Sequence, residues 1–334
     1  TYILAWTTTP WTLPSNAALC FNANFDYSEV KVKDDVMILA TERVHEFFKE
    51  GEYETLSVKK GSEYKGLSYE PLYDCYTGKG KCYFTVCDDY VTLDEGTGIV
   101  HIAPAFGEDD ARVGRENGIP FIQMVDDRGN MKEGAPFVGT FCKDADKLIL
   151  KDLRERGLLL KAPLVTHSYP FCWRCDTPLL YYARSTWFIS MTKVRDELIK
   201  NNASVNWMPE SIGKGRMGNF LENVIDWGLS RERYWGTPLP IWICDDCGET
   251  ECIGSKQELK ERGGIEGDIE LHKPYVDAVT LRCPKCGGVM HRTPEVIDCW
   301  YDSGSMPFAQ LHYPFENKEK FEKTFPAQFI SEAV

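Results

Sequence analysis

The chain has 334 residues, 43% of them hydrophobic, and a net charge of −13, which allows two or three domains with cores of their own. The acidic balance argues against a general nucleic-acid binder, since phosphate contacts rest on Lys and Arg, but it leaves room for a local basic track. No apolar run of about 18 residues and no charged, apolar, small-residue leader is present, so the sequence offers neither a membrane span nor a secretory signal.

Residues 2–6, YILAW, form an apolar run suited to a buried strand. Thr7, Thr8, Thr9 and Thr12 follow, broken by Pro10 and Pro14. Each Thr offers one donor and two acceptor lone pairs on a stiff stem, so the cluster can fix a water and a ribose without charge; the plain alternative is a Thr-rich strand end. Alternation over 27–32 and the run 36–39 predict a hairpin around Lys33, Asp34 and Asp35. Residues 41–49 predict a helix capped by Thr41, with Val44, Phe47 and Phe48 inward. Strands are expected at 53–58, 83–88 and 99–103, the last carrying His101 and Ala103 on one face and stopping at Pro104. Gly107 opens a predicted helix whose first turn holds Glu108, Asp109 and Asp110, where acids commonly do no more than complement the helix dipole. A turn at Asp127-Arg128-Gly129-Asn130 and a helix over 143–156, with Ala145, Leu148, Ile149 and Leu153 on one face, follow. Many short strands with few helices indicate a barrel or strongly curled sheet with helices packed outside.

From Leu164 the character changes. Residues 166–178 are aromatic and hold Cys172-x-x-Cys175, and residues 223–242 interleave Trp with Arg, which by composition reads as a core in preference to a nucleic-acid surface. Cys244-x-x-Cys247 and Cys283-x-x-Cys286 are separated by 35 residues, and a Gly follows each pair. Two thiolates on each of two turns place four soft ligands at the corners of a tetrahedron, the arrangement of a structural zinc site with no open position for water. Cys20, Cys75, Cys82, Cys87, Cys142, Cys252 and Cys299 are scattered singly and read as small core hydrophobes. Thirteen cysteines, odd in number and arranged in part as metal pairs, fit a reducing compartment, so a cytoplasmic location is expected. The start at Thr1 and the end at Ala333 and Val334 give the expectation of an excised internal piece.

Two stretches together, WTTTPWTLPSN (6–16) and GTGIVHIAPAFGEDD (96–110), closely resemble the editing domain of the isoleucyl-tRNA synthetases, which are class I enzymes. The valyl and leucyl sister families usually carry TTRP where this chain has Thr8, Thr9 and Pro10 preceded by Thr7, which favours the isoleucyl member. The resemblance implies substrate or water contacts for Thr7, Thr8, Thr9, Thr12, Asn16 and His101, a place in the substrate site for Ala103, and an anchor for the substrate α-amino group in Asp110. Members often carry His where this chain has Phe106. DWGLSRERYWGTPLPIW (226–242) and DCWYDSG (298–304) look like parts of the class I catalytic domain, with Trp300 and Glu332 at or near the synthetic site and an amino-acid-binding strand beginning at 328–332.

The fold expected on this basis is α+β. It comprises a β-barrel editing domain with peripheral helices over 1–163, a connector and partial catalytic segment over 164–243, a zinc ribbon over 244–290, and a second catalytic segment over 291–334. One structural zinc is expected, with Cys172 and Cys175 left without metal because the family can complete that pair from cysteines ahead of the editing insertion. ATP and Mg belong to the parent enzyme only, since neither a HIGH-type nor a KMSKS-type signature occurs. The expected partners are the acceptor end of tRNA(Ile) and a misattached valine, with no membrane and a monomeric state. Rival readings are a zinc-ribbon binding module without catalysis, a free-standing hydrolase of misacylated tRNA, and an editing domain of the valyl or leucyl system.

Overall fold

In the computed structural model, which describes residues 1–163 and 169–331, the first strand pairs with the fourth, far from its sequence neighbour. Two units divide the chain, Thr1–Arg184 and Ser185–Val334. The strands of the first unit are β1 (Tyr2–Ile3), β2 (Ala18–Phe21), β3 (Asp26–Val32), β4 (Asp35–Ala40), β5 (Glu54–Lys60), β6 (Phe84–Cys87) and β7 (Val100–Ile102). One sheet runs β1-β4-β3-β5 and a second runs β6-β2-β7. A parallel bridge from Trp6 to Val100 joins them, supported by Trp6 N–H donating to the Ile99 carbonyl at 3.1 Å and Ala40 N–H donating to Thr97 at 2.9 Å.

The result is a curled half-barrel. Among the described residues the expected closed barrel is not seen as one continuous sheet: after β5 the chain makes a 3-10 turn, Gly61–Tyr64, and then meets β6 only through an isolated bridge from Ser68 to Phe84. Tyr64 stacks on Phe21 at 5.2 Å. Any side chain at Gly61 would meet the Asn22 carbonyl, since a Cβ there would lie 2.0 Å from that oxygen; only glycine lets the two backbones come this close.

The buried run also differs from expectation. Only Tyr2 and Ile3 of YILAW are in a strand, and Tyr2 is 44% exposed, because β1 lies at the edge of its sheet. The fully buried stretch is 11–22 instead. The helix expected from Thr41 begins as a 3-10 turn, Thr41–Arg43, and is α-helical only over Val44–Phe47 (α1). Thr41 does not cap it, for its hydroxyl is shared with Ser28 at 2.9 Å. Lys33 adopts φ 56° at the tip of the β3–β4 hairpin, and Gly107 caps α2 (Glu108–Glu116). In α3 (Cys142–Glu155), Ala145, Ile149 and Leu153 are buried, while Leu148 is 38% exposed at the edge of the stripe.

The second unit holds a four-stranded antiparallel sheet, in the order Thr250–Cys252, Ile241–Cys244, Val289–Arg292, Leu281–Arg282. Trp242 and Met290 fill its core. Arg292 is buried there and satisfied by Asp277 and by the Leu239 and Glu295 carbonyls. Cys252 and Cys299 are exposed, so the reading of all single cysteines as core holds for Cys20, Cys75 and Cys142 but not for these two. Cys299 begins the helix Cys299–Ala309, capped by Asp298, and Trp300 is 72% exposed. The strand expected to begin at Gln328 does not form over 328–331, since a strand needs a hydrogen-bonded neighbour and the described residues supply none. Glu332 and the expected boundary at Leu164 lie outside the described residues.

Candidate active site

The 3-10 turn Pro10–Ser15 places the hydroxyl cluster. Pro10 suits the start of a helical turn, where its missing N–H would find no partner in any case. The next N–H, of Trp11, donates to Asp146 Oδ1 of α3 at 2.8 Å, and Trp11 and Leu13 share a core with Ala145, Ile149 and Leu153 of that helix. Burial pushes the Asp146 carboxyl up to about 6, with the Trp11 N–H acting against it. Phe106 meets the Trp11 ring edge-on at 4.8 Å, so that position serves packing.

From this turn a chain of hydrogen bonds crosses to β7. Thr9 N–H donates to Thr7 Oγ1 at 3.1 Å, and Thr9 Oγ1 lies 3.4 Å from Thr7 Oγ1 and 3.3 Å from Thr12 Oγ1. Thr12 Oγ1 donates to the Thr9 carbonyl at 2.8 Å and lies 3.0 Å from His101 Nε2. His101 is 7% exposed, and desolvation pushes its imidazole down to about 4, so it is neutral at pH 7. Asn16 is held at both ends: its Nδ2 donates to the Ala18 carbonyl at 2.8 Å, and its Oδ1 accepts from the Tyr69 hydroxyl at 2.5 Å. Burial pushes the Tyr69 hydroxyl up, keeping it a donor.

A cavity of about 1130 Å³ has Thr7, Thr8, Asn16 and His101 in its wall, with Tyr69 and Asp146. Thr9 and Thr12 connect to that wall through the bonds just described. Asp110 and Ala103 are not in the wall; they meet each other in the turn between β7 and α2, where Ala103 N–H donates to Asp110 Oδ2 at 3.0 Å. The Tyr90 hydroxyl donates to Asp110 Oδ1 at 3.2 Å. Burial pushes the Asp110 carboxyl up, and these two donors act against it. Tyr69, Tyr90 and Asp146 escaped the reading of the sequence. For Asp146 a signal existed, an acid adjoining the apolar stripe of α3; for the two tyrosines none did.

In the second unit the sulfurs of Cys244, Cys247, Cys283 and Cys286 all lie within 4.8 Å of one another. Cys244 and Cys286 Sγ are 3.4 Å apart, and Cys247 and Cys283 Sγ 3.7 Å. Four sulfurs at about 2.3 Å from a central zinc would be about 3.8 Å apart, so the set fits a tetrahedral ion. Two matching turns build it, with Gly248 N–H donating to the Cys244 carbonyl and Gly287 N–H to the Cys283 carbonyl, each at 3.0 Å. Both glycines have positive φ, 68° and 75°. Cys172 and Cys175 join no group of three or more metal-ligating side chains among the described residues; Cys175 Sγ instead lies 3.1 Å from Thr177 Oγ1.

Residues 5–334 match the family of class I tRNA synthetases (I, L, M and V), and the chain belongs to that family. It is 60% identical over 335 residues to the isoleucine–tRNA ligase of Clostridium tetani (strain Massachusetts / E88) and 48% identical over 354 residues to that of Treponema denticola. Each alignment takes in all of this chain and 32% of the relative, so the chain spans about a third of the length of these curated relatives. Among solved structures, the crystal structure of GlLeuRS-CP1 aligns with a TM-score of 0.40 and 17% identity, over 50% of this chain and 84% of that one. No helix among the described residues is long and apolar enough to cross a membrane.

Proposed function

We propose that the first unit hydrolyses the ester of a misacylated tRNA, valine attached to tRNA(Ile), and so edits the product of a longer isoleucine-specific ligase. The observation that supports this most is the run of hydroxyls Thr7, Thr9 and Thr12 bonded through to His101 beside the cavity. An aminoacyl ester is already activated, so a water held in line by fixed hydroxyls can attack it without a nucleophilic triad or a catalytic metal; positioning supplies much of the rate. Thr8 and Thr9 would hold the water and ribose, Asn16 would contact the substrate, and Thr12 would fix His101. Asp110 lies outside the cavity wall, so for it to hold the substrate ammonium by a charge-assisted hydrogen bond, the amino end of the substrate would have to reach the turn between β7 and α2. A carboxylate offers about four acceptor sites, and Ala103 and Tyr90 take up two of them.

The need for such a site follows from the chemistry of isoleucine. One missing methylene supports only about 10- to 200-fold discrimination, a limit for which isoleucyl synthetases are themselves the standard example. A second pocket that admits valine and excludes isoleucine removes the remaining errors. In the longer parent, ATP and Mg would serve the ligation of isoleucine to tRNA, and the four cysteines would hold zinc as a structural ion. The chain would work in the cytoplasm, as a monomer, on the acceptor end of tRNA.

Deacylation of tRNA(Ile) carrying valine, threonine or isoleucine tests this reading. Hydrolysis of the valine and threonine esters with the isoleucine ester spared is expected. Equal loss of all three would remove the size sieve, and no loss of any would leave the zinc-ribbon module without catalysis.

A further inference from the structure

The carboxylates in the cavity wall are Glu29, Glu63, Glu70 and Asp146. Glu63 and Glu70 are exposed, and Glu29 is paired with Lys59 at 2.6 Å and takes a further bond from the Tyr64 hydroxyl at 3.1 Å. Asp146 differs from all of them. It is half-buried, its Oδ1 accepts from the Trp11 N–H at 2.8 Å, and no other hydrogen bond or ion pair of Asp146 exists among the described residues. Its Oδ2 is not one of the buried polar atoms that lack a partner, so that oxygen keeps accessible surface. Helix spacing sets the direction of the side chain: Leu150 and Leu153, one and two turns further along α3, line the same cavity, and residues at i, i+4 and i+7 share one face of a helix. The bond to Trp11 fixes the carboxylate beside the turn that carries Thr12.

We propose that Asp146 is a substrate-binding residue whose free Oδ2 accepts a hydrogen bond from a ribose hydroxyl of the ligand, the one vicinal to the ester. This deepens the proposed editing function and rests on it for the identity of the ligand. A carboxylate suits a ribose hydroxyl, as in dinucleotide sites, because it can only accept and does so at full charge. Thr7 and Thr8 in the same wall can donate or accept, whereas Asp146 has one oxygen locked by the backbone and the other left for the ligand. Burial pushes this carboxyl up to about 6, with the Trp11 N–H and the Lys143 charge acting against it. A ligand hydroxyl returns part of the solvation that the oxygen lost on burial, which gives the cavity a reason to keep an acid that no cation pairs.

The test uses the whole chain and a ligand that cannot be hydrolysed: valine joined through an amide to amino-deoxyadenosine, made as both ribose regioisomers, each with and without the vicinal hydroxyl. In Asp146→Asn the amide oxygen keeps the Trp11 N–H bond, so the NH2 group replaces Oδ2 and a neutral donor stands where a charged acceptor was. Calorimetric titration should show that removing the hydroxyl from the tighter regioisomer weakens binding to the unmodified chain about tenfold, and that Asp146→Asn weakens binding of the complete ligand by a similar factor, the worth of one charge-assisted bond. The two changes together should cost no more than either alone, because they delete the same contact. Additive losses, an unmodified chain indifferent to the hydroxyl, or no binding of either regioisomer overturns the proposal. The other donor on the ligand is its ammonium, so the isovaleryl analogue, which lacks it, is titrated too. Asp146→Asn should still weaken that analogue about tenfold; a loss that disappears there assigns the carboxylate to the ammonium and overturns the ribose contact. Hydrolysis of valyl-tRNA(Ile) is read separately: a chain that shows these couplings and hydrolyses no ester keeps the contact and loses the editing function.

Discussion

The backbone N–H of Trp11 donates to the Asp146 carboxylate across 135 positions of chain, at 2.8 Å. It fastens the turn that carries the threonines to α3, and the fastening has a cost in charge, since burial pushes the Asp146 carboxyl up to about 6 from an ordinary 3.8. A carboxyl raised in the folded state binds protons more readily there than when unfolded, so its charge opposes folding above about pH 6 and the penalty fades as pH falls toward 3.8. Asp146→Asn keeps an acceptor and removes the charge. Thermal melts should show it stabilised at pH 7.5 with a smaller gain at pH 5; an equal gain at both would mean that the buried charge is not the cause. Asp146→Ala, which leaves the Trp11 N–H unpaired, should be destabilised at both.

His101 works in the opposite direction. Its imidazole falls from 6.5 to about 4 on burial, so the unfolded chain takes up a proton that the folded one refuses. Stability contributed at neutral pH is lost as pH drops from about 6.5 toward 4, on the order of 3 kcal/mol in full for this buried ring. Denaturant unfolding of the unmodified chain and of His101→Gln across that window should diverge, with the variant less sensitive to acid. Parallel curves would show that the ring is not buried neutral.

Asp110 has two duties that mutation can separate. Asp110→Ala should abolish hydrolysis of misacylated tRNA, and by freeing the Ala103 N–H it should also cost about 1–3 kcal/mol of stability. Tyr90→Phe removes only the donor to Oδ1 and should keep hydrolysis within a few-fold. If the two variants lose activity alike, the carboxylate acts by tying the turn and holds no ammonium.

The four-cysteine ribbon belongs to the second unit, so metal and hydrolysis should be independent. One zinc per chain is expected, with four sulfur neighbours in its absorption spectrum, and Cys283→Ser should lower the metal content. A strong chelator should perturb the emission of Trp242, which is 1% exposed beside Cys244, and leave ester hydrolysis intact. Two zincs per chain would show Cys172 and Cys175 to be ligands as well.

Isoleucine-dependent pyrophosphate exchange should be absent from this chain, which carries neither ATP-binding signature of the class I enzymes. Measurable exchange would show that residues 185–331 assemble a synthetic site on their own.

Much of this was legible residue by residue. Two C-x-x-C-Gly turns announce a tetrahedral thiolate set because the ligand geometry is local to each turn, and the structure brings their sulfurs together. The helix at 142–155 follows from four-residue apolar spacing, and the β3–β4 hairpin from alternation about a polar tip. The extent of barrel closure was not legible, because it depends on pairing between segments far apart in the chain, and after the Gly61–Tyr64 turn the chain meets β6 only through an isolated bridge from Ser68 to Phe84. Burial was misjudged at YILAW for a related reason: an apolar run records what could be covered, and β1 ended at an edge.

By itself the sequence determined the chemistry available: hydroxyls broken by two prolines after an apolar run, a histidine on a strand, an acid at a helix start, four thiols in two pairs. Tertiary structure decided which of these meet. It set Thr12 against His101 across 89 positions, put Asn16 under Tyr69, and tied Asp110 to Ala103 and Tyr90 outside the cavity wall. The physical reason is one of range: helix and strand periods and ligand spacings are written within a few residues, whereas contacts between distant segments arise from packing that closes long loops, and no local pattern encodes them.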